Sequence, residues 1–459
     1  MTVLISTSPQ RPSDVIAEVA AIDPGLVPGL VAAARLAQRD WWRASAATRS
    51  AALAAIAGEL RSRSAEAVAL VVREVGKPIG EATGEVARSI ALLDYYAQAA
   101  YAPMGQAFTP SQTTGLLFTD RVPHGVAGLI TPWNFPLAIP LWKIAPALAV
   151  GNAVVLKPSP EAVGCAALLA EILNAHLPTG LFTVIAGGGA TGSALVDSVD
   201  AVSFTGSAAV GSQVAAQAAR RGIPVQCEMG GQNAAIVLPD AEPLRTAATI
   251  AGAAMGYSGQ KCTATRRIVL VGEQPLFIEA LVMAVSAFVP QDPATAGAVV
   301  GPVITAESRD RLVHAADAAV YSGGRMLTGG GAVDGEGWFV RPGVADGIPH
   351  GHALLTDETF GPLVILQHAR DVSDAVVLAE ASPYGLVTSV HGRDLDGLLQ
   401  VAREVRSGMV KINAPTTGVE FYTPFGGMQA SSIGGREQGL AALEFYSRIR
   451  TITVAPHTP

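Results

Sequence analysis

The sequence contains few cysteines and few charged residues, and both scarcities exclude several classes of protein. Three cysteines among 459 residues, without an even framework of close spacings, argue against a disulfide scaffold. They fit a reducing compartment, and we expect a cytoplasmic protein. Charged residues make up only 15% and hydrophobic residues 49%, which indicates a compact protein with much buried surface. The formal net charge of -7 argues against nucleic acid as a partner.

Leader and membrane signals are missing as well. Residues 1–11 lack both the basic region and the long apolar core of a signal peptide. From His124 to Leu156 the only Lys or Arg is Lys143, but four prolines break any spanning helix there: Pro132, Pro136, Pro140 and Pro146. We therefore expect buried strand, loop and short helix in this stretch, and no membrane partner.

One of the three cysteines has the surroundings of a nucleophile. Cys262 lies in the run MGYSGQKCT, whose small and polar residues offer too little apolar surface to bury a thiol for packing alone. By contrast, Cys165 and Cys227 lie in apolar helix-like and strand-like runs and fit a packing role. A free thiol is only about 3% ionised at pH 7, so Cys262 needs a favourable field or a base, and Lys261 is placed to favour the thiolate.

A carboxylate and a glycine pair precede this cysteine in the chain. Glu228 closes an apolar run and is followed by Met229, Gly230 and Gly231. A carboxylate that the fold brings near a nucleophilic thiol can activate the water that releases a covalent intermediate. The pair therefore suggests an enzyme that works through a thioester.

The first half of the chain changes from helices to alternating strands and helices. Helical patterns run from Gly29 to about Tyr101, with amphipathic runs at 46–62, 65–74 and 81–97. Short apolar strands at 154–156, 182–185, 201–204 and 225–227 then alternate with helices at 162–176, 193–198 and 208–220. This alternation predicts a parallel sheet of nucleotide-binding type.

The remaining segments have weaker patterns. A second alternating region runs from Asn233 to about Asn413, and the glycine-rich stretch Gly324–Gly337 predicts a surface loop inside it. Residues 105–121 have strand character, and the tail 451–454 alternates like an edge strand, which needs a cover.

Eight segments resemble the aldehyde dehydrogenase superfamily, in that family's order and with similar spacing. The segments are Thr131–Pro136, Trp142–Ala147, Gly151–Pro158, Phe204–Ser207, Glu228–Gly231, Gly259–Cys262, Glu358–Pro362 and Pro424–Gly427. The resemblance covers about residues 46–454, although the start is short and the first hairpin of the family looks reduced.

The resemblance implies an α/β fold with a Rossmann-like parallel-sheet cofactor domain, an α/β catalytic domain and a small β oligomerisation segment. The implied boundaries are residues 1–104 and 124–228 for the cofactor domain and 229–443 for the catalytic domain. Residues 105–123 and 444–459 would form the oligomerisation segments of a homodimer or homotetramer.

The resemblance also implies NAD(P)-dependent oxidation of a small-molecule aldehyde to an acid. Cys262 would attack the aldehyde, the Asn134 amide and the Cys262 backbone N–H would stabilise the oxyanion, and Glu228 would activate water. The alternative for Asn134 is a buried turn residue. In many relatives Lys143 belongs to a proton relay with a glutamate near the C-terminus, but the aligned position here is Arg448, so Lys143 is either a relay residue or structural. No metal is implied.

The cofactor that the resemblance implies is NADP or NAD. Its implied contacts are Thr131, Pro132, Trp133, Lys157, Ser159, Pro160, Gly187, Phe204, Thr205, Gly206, Ser207, Gly211, Met229, Gly230, Glu358 and Phe360. Residues 187–192 formally match G-x-G-x-x-G, but the resemblance places the pyrophosphate near 206–211. Many NAD-dependent relatives carry a carboxylate three residues after the lysine. Here Pro160 occupies that position and Glu161 is displaced by one, which should admit NADP.

Motif detail is most similar to 2-oxoglutarate semialdehyde (2,5-dioxopentanoate) dehydrogenases, although the segment 424–439 is one residue longer than the common pattern. A carboxylated substrate needs a cation near the mouth of the site, and Arg266 is either that cation or a solvated arginine. The alternatives are broad specificity for uncharged aldehydes and a catalytically silent binding or structural member of the fold. Glu228 disfavours coenzyme A-acylating enzymes and acyl-phosphate reductases.

Overall fold

The computed structural model describes residues 2–102, 105–112 and 114–455. The chain begins with a hairpin and four helices: β1 (Val3–Ser8), β2 (Arg11–Ala20), α1 (Val27–Arg43), α2 (Ala46–Ser62), α3 (Ser64–Val75) and α4 (Ile79–Ala99). The hairpin that we expected in reduced form is thus present, with strands of 6 and 10 residues. The helical prediction for this region is confirmed; Ser45, for example, caps α2 by accepting a hydrogen bond from Thr48 N.

The predicted cofactor sheet is confirmed. Two short strands, β3 (Ala107–Phe108) and β4 (Leu116–Pro123), come first. The alternating elements are β5 (Val126–Ile130), α5 (Ala138–Ala149), β6 (Ala153–Lys157), α6 (Val163–His176), β7 (Phe182–Val184), α7 (Gly189–Val196), β8 (Ala201–Thr205), α8 (Ala208–Arg221) and β9 (Val225–Glu228). β5, β6, β7, β8 and β9 pair in parallel in the order β9-β8-β5-β6-β7, and β5 and β6 are buried throughout, as expected of a sheet covered on both faces.

The proline-rich stretch behaves as predicted. It forms β5, a loop, the 12-residue α5 and β6. Within the described ranges no helix is both long and apolar enough to cross a membrane.

The second sheet carries the nucleophile loop. Its region contains β10 (Ala234–Val237), α9 (Pro243–Met255), β11 (Arg267–Val271), α10 (Pro275–Ser286), α11 (Ala306–Tyr321), β12 (Arg325–Thr328), β13 (Gly343–Asp346), β14 (Leu363–Ala369), α12 (Val372–Ala379), β15 (Tyr384–Gly385), β16 (Val387–His391), α13 (Leu395–Glu404) and β17 (Met409–Ile412). The order is β12-β13-β14-β11-β10-β16-β17, with β12 antiparallel. The prediction of a loop over 324–337 is therefore wrong at its start, because Arg325–Thr328 finds a partner in β13.

The C-terminal part pairs with strands from earlier in the chain. It contains β18 (Met428–Gln429), β19 (Ser432–Ile433), α14 (Gly439–Phe445) and β20 (Ser447–Val454). β19 pairs antiparallel with β9, so Ser432 lies opposite Glu228. β20 pairs with β4 along its full length, and β3 completes a three-stranded sheet, which confirms the strand character of both segments.

Candidate active site

Cys262 lies on the wall of a cavity of about 540 Å³. The loop that carries it connects a 3₁₀ turn at Gly256–Gly259 to β11. Burial raises the pKa of the Cys262 thiol to about 12, and the negative charges of Glu358 and Glu228 act in the same direction. The free thiol is therefore protonated near neutral pH and needs a base before it can attack.

Two features hold the nucleophile loop in place. Asn233 Nδ2 donates hydrogen bonds to the backbone oxygens of Cys262 at 2.7 Å and Ala264 at 2.8 Å. Before the cysteine, Tyr257 and Ser258 have φ values of 55° and 53°, a strained conformation for residues with a side chain. Strain of this kind persists only where surrounding contacts impose it, so the loop is held in a defined position.

Lys261 does not favour the thiolate as the sequence suggested. Its Nζ forms an ion pair with Glu81 Oε1 on α4 at 2.5 Å, and the pKa of the Cys262 thiol is raised, not lowered. The lysine charge is thus offset by a carboxylate far away in the sequence.

Arg266 is neither a substrate cation at the mouth nor a solvated arginine. It is 1% exposed, and its guanidinium donates hydrogen bonds to the backbone oxygens of Gly361 at 2.6 Å, Lys261 at 3.3 Å and Gly259. Gly259 adopts a positive φ of 66°, and a Cβ there would lie 2.4 Å from Gly361 O. Arg266 therefore braces the nucleophile loop against the loop that carries Glu358.

Glu228 ends β9, as predicted, and is almost fully buried at 2% exposure. Its Oε2 accepts a hydrogen bond of 2.6 Å from Ser432 Oγ, while its Oε1 has no partner among the described residues. Burial raises the pKa of Glu228 well above its ordinary value and nearby Glu437 raises it further, whereas the Ser432 hydrogen bond and Lys143 lower it. A carboxylate with a raised pKa and a free oxygen is suited to general-base chemistry.

Lys143 has a carboxylate partner, but it is not at the position that the sequence indicated. Its Nζ donates to Glu437 Oε1 and, at 2.7 Å, to Ser203 Oγ on β8. Arg448 instead lies on β20, opposite Val122, where its Nη2 donates to His124 O at 3.3 Å. The alignment of Arg448 with the relay glutamate was therefore wrong.

Asn134 is 3% exposed and touches the nucleophile loop. Its Nδ2 donates a hydrogen bond of 3.0 Å to the backbone oxygen of Gln260, two residues before Cys262. A side-chain amide has two N–H bonds, so one donor remains for a developing oxyanion.

The cofactor side of the site lies at the carboxyl ends of the strands, where α/β sheets bind nucleotides. The hydroxyls of Thr131 and Thr205, at the ends of the adjacent strands β5 and β8, are buried without a partner among the described residues. Among the described residues, Lys157 Nζ donates to Pro158 O alone, and burial lowers its pKa while the charge of Glu161 raises it. Glu161 itself accepts a hydrogen bond from Ser159 Oγ, and Pro160, which begins a short 3₁₀ turn, lies between the two residues in the sequence.

The two glycine segments form different structures. Gly187–Gly189 lead into α7, which is only eight residues long, whereas Gly206 precedes the 14-residue α8, whose first turn Ser207 caps. The latter offers the backbone N–H groups of a full helix N-terminus, which suits a pyrophosphate better. Gly211, Phe204 and Met229 pack together beneath it: a Cβ on Gly211 would lie 2.5 Å from Met229 Sδ.

The Glu358 loop meets the end of β9. Glu358 Oε1 accepts a hydrogen bond of 3.2 Å from Gly231 N, and a Cβ on Gly230 would lie 2.0 Å from Glu358 Oε2, so only glycine permits this approach. Burial raises the pKa of Glu358. Phe360 packs edge-on against Trp133, which follows Pro132 in the Asn134 loop, with ring centroids 5.8 Å apart. These contacts join the predicted cofactor residues to the catalytic loops.

Sequence analysis did not identify three residues of this region: Ser432, Glu437, and Arg88 of α4, which lines the same cavity as Cys262. Glu437 had a signal, since Lys143 is a lone cation in an apolar stretch and a buried lysine needs a carboxylate partner. Ser432 and Arg88 had none, because their roles depend on strand pairing and on packing between distant helices.

Comparison with known proteins identifies the family. The aldehyde dehydrogenase family model matches residues 3–452. An alpha-ketoglutaric semialdehyde dehydrogenase of Bacillus subtilis is 37% identical over 435 residues, covering 93% of this chain and 89% of the relative.

Solved structures of similar proteins superpose on the whole of this chain. A crystal structure of an NAD-dependent aldehyde dehydrogenase from Sinorhizobium meliloti superposes with a TM-score of 0.95 at 31% identity, covering 100% of this chain and 92% of the other. A betaine aldehyde dehydrogenase of Staphylococcus aureus in complex with NAD+ has a TM-score of 0.95 at 28% identity, with coverage of 100% and 93%.

Proposed function

This chain belongs to the aldehyde dehydrogenase family, and from that premise we propose that it oxidises an aldehyde to a carboxylic acid with NAD or NADP, using Cys262 as the nucleophile. The observation that carries the proposal is the meeting of three groups. The Cys262 thiol lines a cavity, Asn134 is hydrogen-bonded into the Cys262 loop, and Glu228 is close enough to raise the pKa of the thiol.

The residues on the cofactor side fit a dinucleotide. Among the described residues, the buried hydroxyls of Thr131 and Thr205 have no partner and Lys157 forms no ion pair, while the N-terminus of α8 offers backbone donors to a pyrophosphate. Lys157 and Ser159 would hold the adenosine ribose, and Glu358 the nicotinamide ribose. When bound, the cofactor accepts a hydride from the aldehyde carbon.

The side chains of the site would carry out the other steps of the reaction. Cys262 Sγ bonds to the aldehyde carbon as its proton passes to solvent water, and the Asn134 amide with the Cys262 backbone N–H stabilises the oxyanion, each donor by about 3 kcal/mol. Glu228 then removes a proton from the water that hydrolyses the thioester. We assign Lys143 and Glu437, whose charges act on Glu228, to the exchange of that proton.

For the substrate, we propose a carboxylated semialdehyde such as 2-oxoglutarate semialdehyde. The Bacillus subtilis relative supports this choice by its name. Broad specificity for uncharged aldehydes is the second candidate, favoured by the apolar side chains Phe135, Trp142 and Phe425 on the cavity wall.

Turnover with a panel of aldehydes tests the function. The purified protein is incubated with semialdehydes or uncharged aldehydes and with NAD or NADP, and the absorbance of the reduced cofactor is followed. We expect reduced cofactor to accumulate with at least one aldehyde. If neither NAD nor NADP is reduced with any aldehyde, the protein is a catalytically silent member of the fold.

The proposed domains follow the sequence boundaries, with 105–123 and 444–459 as oligomerisation segments. The three-stranded sheet that the described part of these segments forms exposes several apolar side chains: Phe108, Leu116, Ile449 and Val454. These side chains would be covered in a homodimer or homotetramer. Light scattering on the purified protein measures its mass and so the number of subunits.

The three cysteines are free, which supports a reducing, cytoplasmic location.

A further inference from the structure

One of the four charged side chains that line the cavity has no ion-pair partner among the described residues. Of the four, Glu81 is paired with Lys261, and Glu85 is paired with the buried Lys77. Arg88, on α4, forms no ion pair within the described residues. The charges of Glu420 and Glu85 act on Arg88 without pairing with it, so its guanidinium remains available to pair with an anion in this cavity.

The same cavity wall carries three buried hydrogen-bond donors without acceptors among the described residues. These are Arg88 Nε, Trp142 Nε1 and Gln438 Nε2. The orientation of the Gln438 amide is fixed, since its Oε1 accepts a hydrogen bond of 3.2 Å from Arg88 Nη2 and Nε2 must then be the free end. Gln438 is 0% exposed and has a positive φ of 61°, so its backbone is constrained as well.

A buried donor without an acceptor is costly, and three around one cavity indicate that a ligand satisfies them. A carboxylate fits best because it is acceptor-only, has two oxygens for several donors, and pairs with a guanidinium in a planar geometry. Since Cys262 lines the same cavity, such an anion would belong to the molecule that carries the aldehyde.

We propose that Arg88, together with Gln438 and Trp142, forms the specificity site that binds the distal carboxylate of a semialdehyde substrate. This proposal rests on the proposed function and names the part of the protein that selects its substrate class. The same positive charge would disfavour an aldehyde with a quaternary ammonium group.

The test compares two substrates of equal length, succinate semialdehyde and butanal, which differ in a terminal carboxylate or methyl group. We expect the wild-type protein to have the higher kcat/KM for succinate semialdehyde. Arg88→Met should lower the ratio of the two kcat/KM values by about 10- to 100-fold, the range of a hydrogen bond to a charged group. Arg88→Lys, which keeps the charge without the planar fork, should give an intermediate ratio.

A second readout does not use the cofactor. Glutarate should protect Cys262 of the wild-type protein from alkylation by iodoacetamide, and Arg88→Met should need at least about 10-fold more glutarate for equal protection. Arg43→Met, at the exposed end of α1, is the matched control and should leave both readouts as in the wild type.

The outcomes separate the inference from the function. Oxidation of neither aldehyde nor any other would refute the function itself. Oxidation of both with an unchanged ratio in Arg88→Met would refute the specificity site while the function stands. If Arg88→Met does not fold by circular dichroism, Gln438→Leu decides: a ratio lowered about 10-fold supports the site and an unchanged ratio refutes it.

Discussion

Ser432 Oγ donates a hydrogen bond of 2.6 Å to Oε2 of Glu228, and in turn accepts one of 2.6 Å from Gly427 N. The serine lies in β19, directly opposite Glu228 in the antiparallel pair with β9. It belongs to the segment that is one residue longer than the common pattern. The hydroxyl thus fixes one oxygen of the proposed base and leaves the other free.

Replacing this serine should lower the fraction of Glu228 that is ionised at a given pH. The Ser432 hydrogen bond lowers the pKa of Glu228, so Ser432→Ala should raise that pKa further and move the rising limb of the kcat profile to higher pH. Loss of a hydrogen bond to a charged group costs about 1.5–3 kcal/mol, so hydrolysis should slow at least about 10-fold. Ser432→Thr, which keeps the hydroxyl, should restore the profile; a Ser432→Ala profile identical to wild type would contradict this role.

The reactivity of the free Cys262 thiol should increase steadily with pH. With a pKa of about 12, the thiolate is a minor species at neutral pH, and its fraction grows about tenfold per pH unit. Alkylation of Cys262 by iodoacetamide in the cofactor-free protein, located by mass spectrometry, should therefore show no plateau below about pH 10. A plateau near about pH 8 would mean that the thiolate is stabilised.

Removal of the Glu228 carboxylate should separate the two halves of the reaction. Glu228→Gln should keep a rapid first burst of reduced cofactor but slow steady-state turnover by about 10²- to 10⁴-fold, the usual contribution of a general base. Stopped-flow absorbance measures both phases. Loss of the burst together with the steady state would instead assign Glu228 to activation of the thiol.

Cofactor choice should respond to a carboxylate at Pro160. Without one there, NADP should be used at least comparably with NAD, and Pro160→Glu should weaken NADP binding at least about 10-fold while NAD binding changes little, because like charges repel in a partly buried site. Fluorescence titration gives both dissociation constants, with Glu161→Gln as the comparison. If the wild type binds NAD alone and Pro160→Glu has no effect, Glu161, held by Ser159, is the discriminator.

The strands and helices of the cofactor domain could be predicted because their patterns are local. The strand 201–204 and the helix 162–176 differ from the structure by one residue at an end, and only α7 begins four residues earlier than expected. Cys262 could be proposed as the nucleophile because its flanking residues are unusual for buried packing, and Glu228 as the base because it ends a strand before two glycines.

The errors concern side chains whose partners are distant in the sequence. Arg266 was expected to be a substrate cation or a solvated arginine because no neighbouring residue predicts that three backbone carbonyls will accept its hydrogen bonds. Lys261 seemed to serve Cys262 because the two are adjacent, yet α4 supplies its carboxylate. The partner of Lys143 was misplaced because a backbone bridge between Phe425 and Glu437, which the sequence does not indicate, positions the carboxylate that Lys143 contacts.

The most direct test of the central claim is turnover by Cys262→Ala, measured as reduced cofactor formed from an aldehyde that the wild-type protein oxidises. Because Cys262 lies on the cavity wall and outside the proposed dinucleotide contacts, we expect aldehyde oxidation to be abolished while the dissociation constant of the cofactor stays near that of the wild type. Turnover at the wild-type rate would contradict the thioester mechanism.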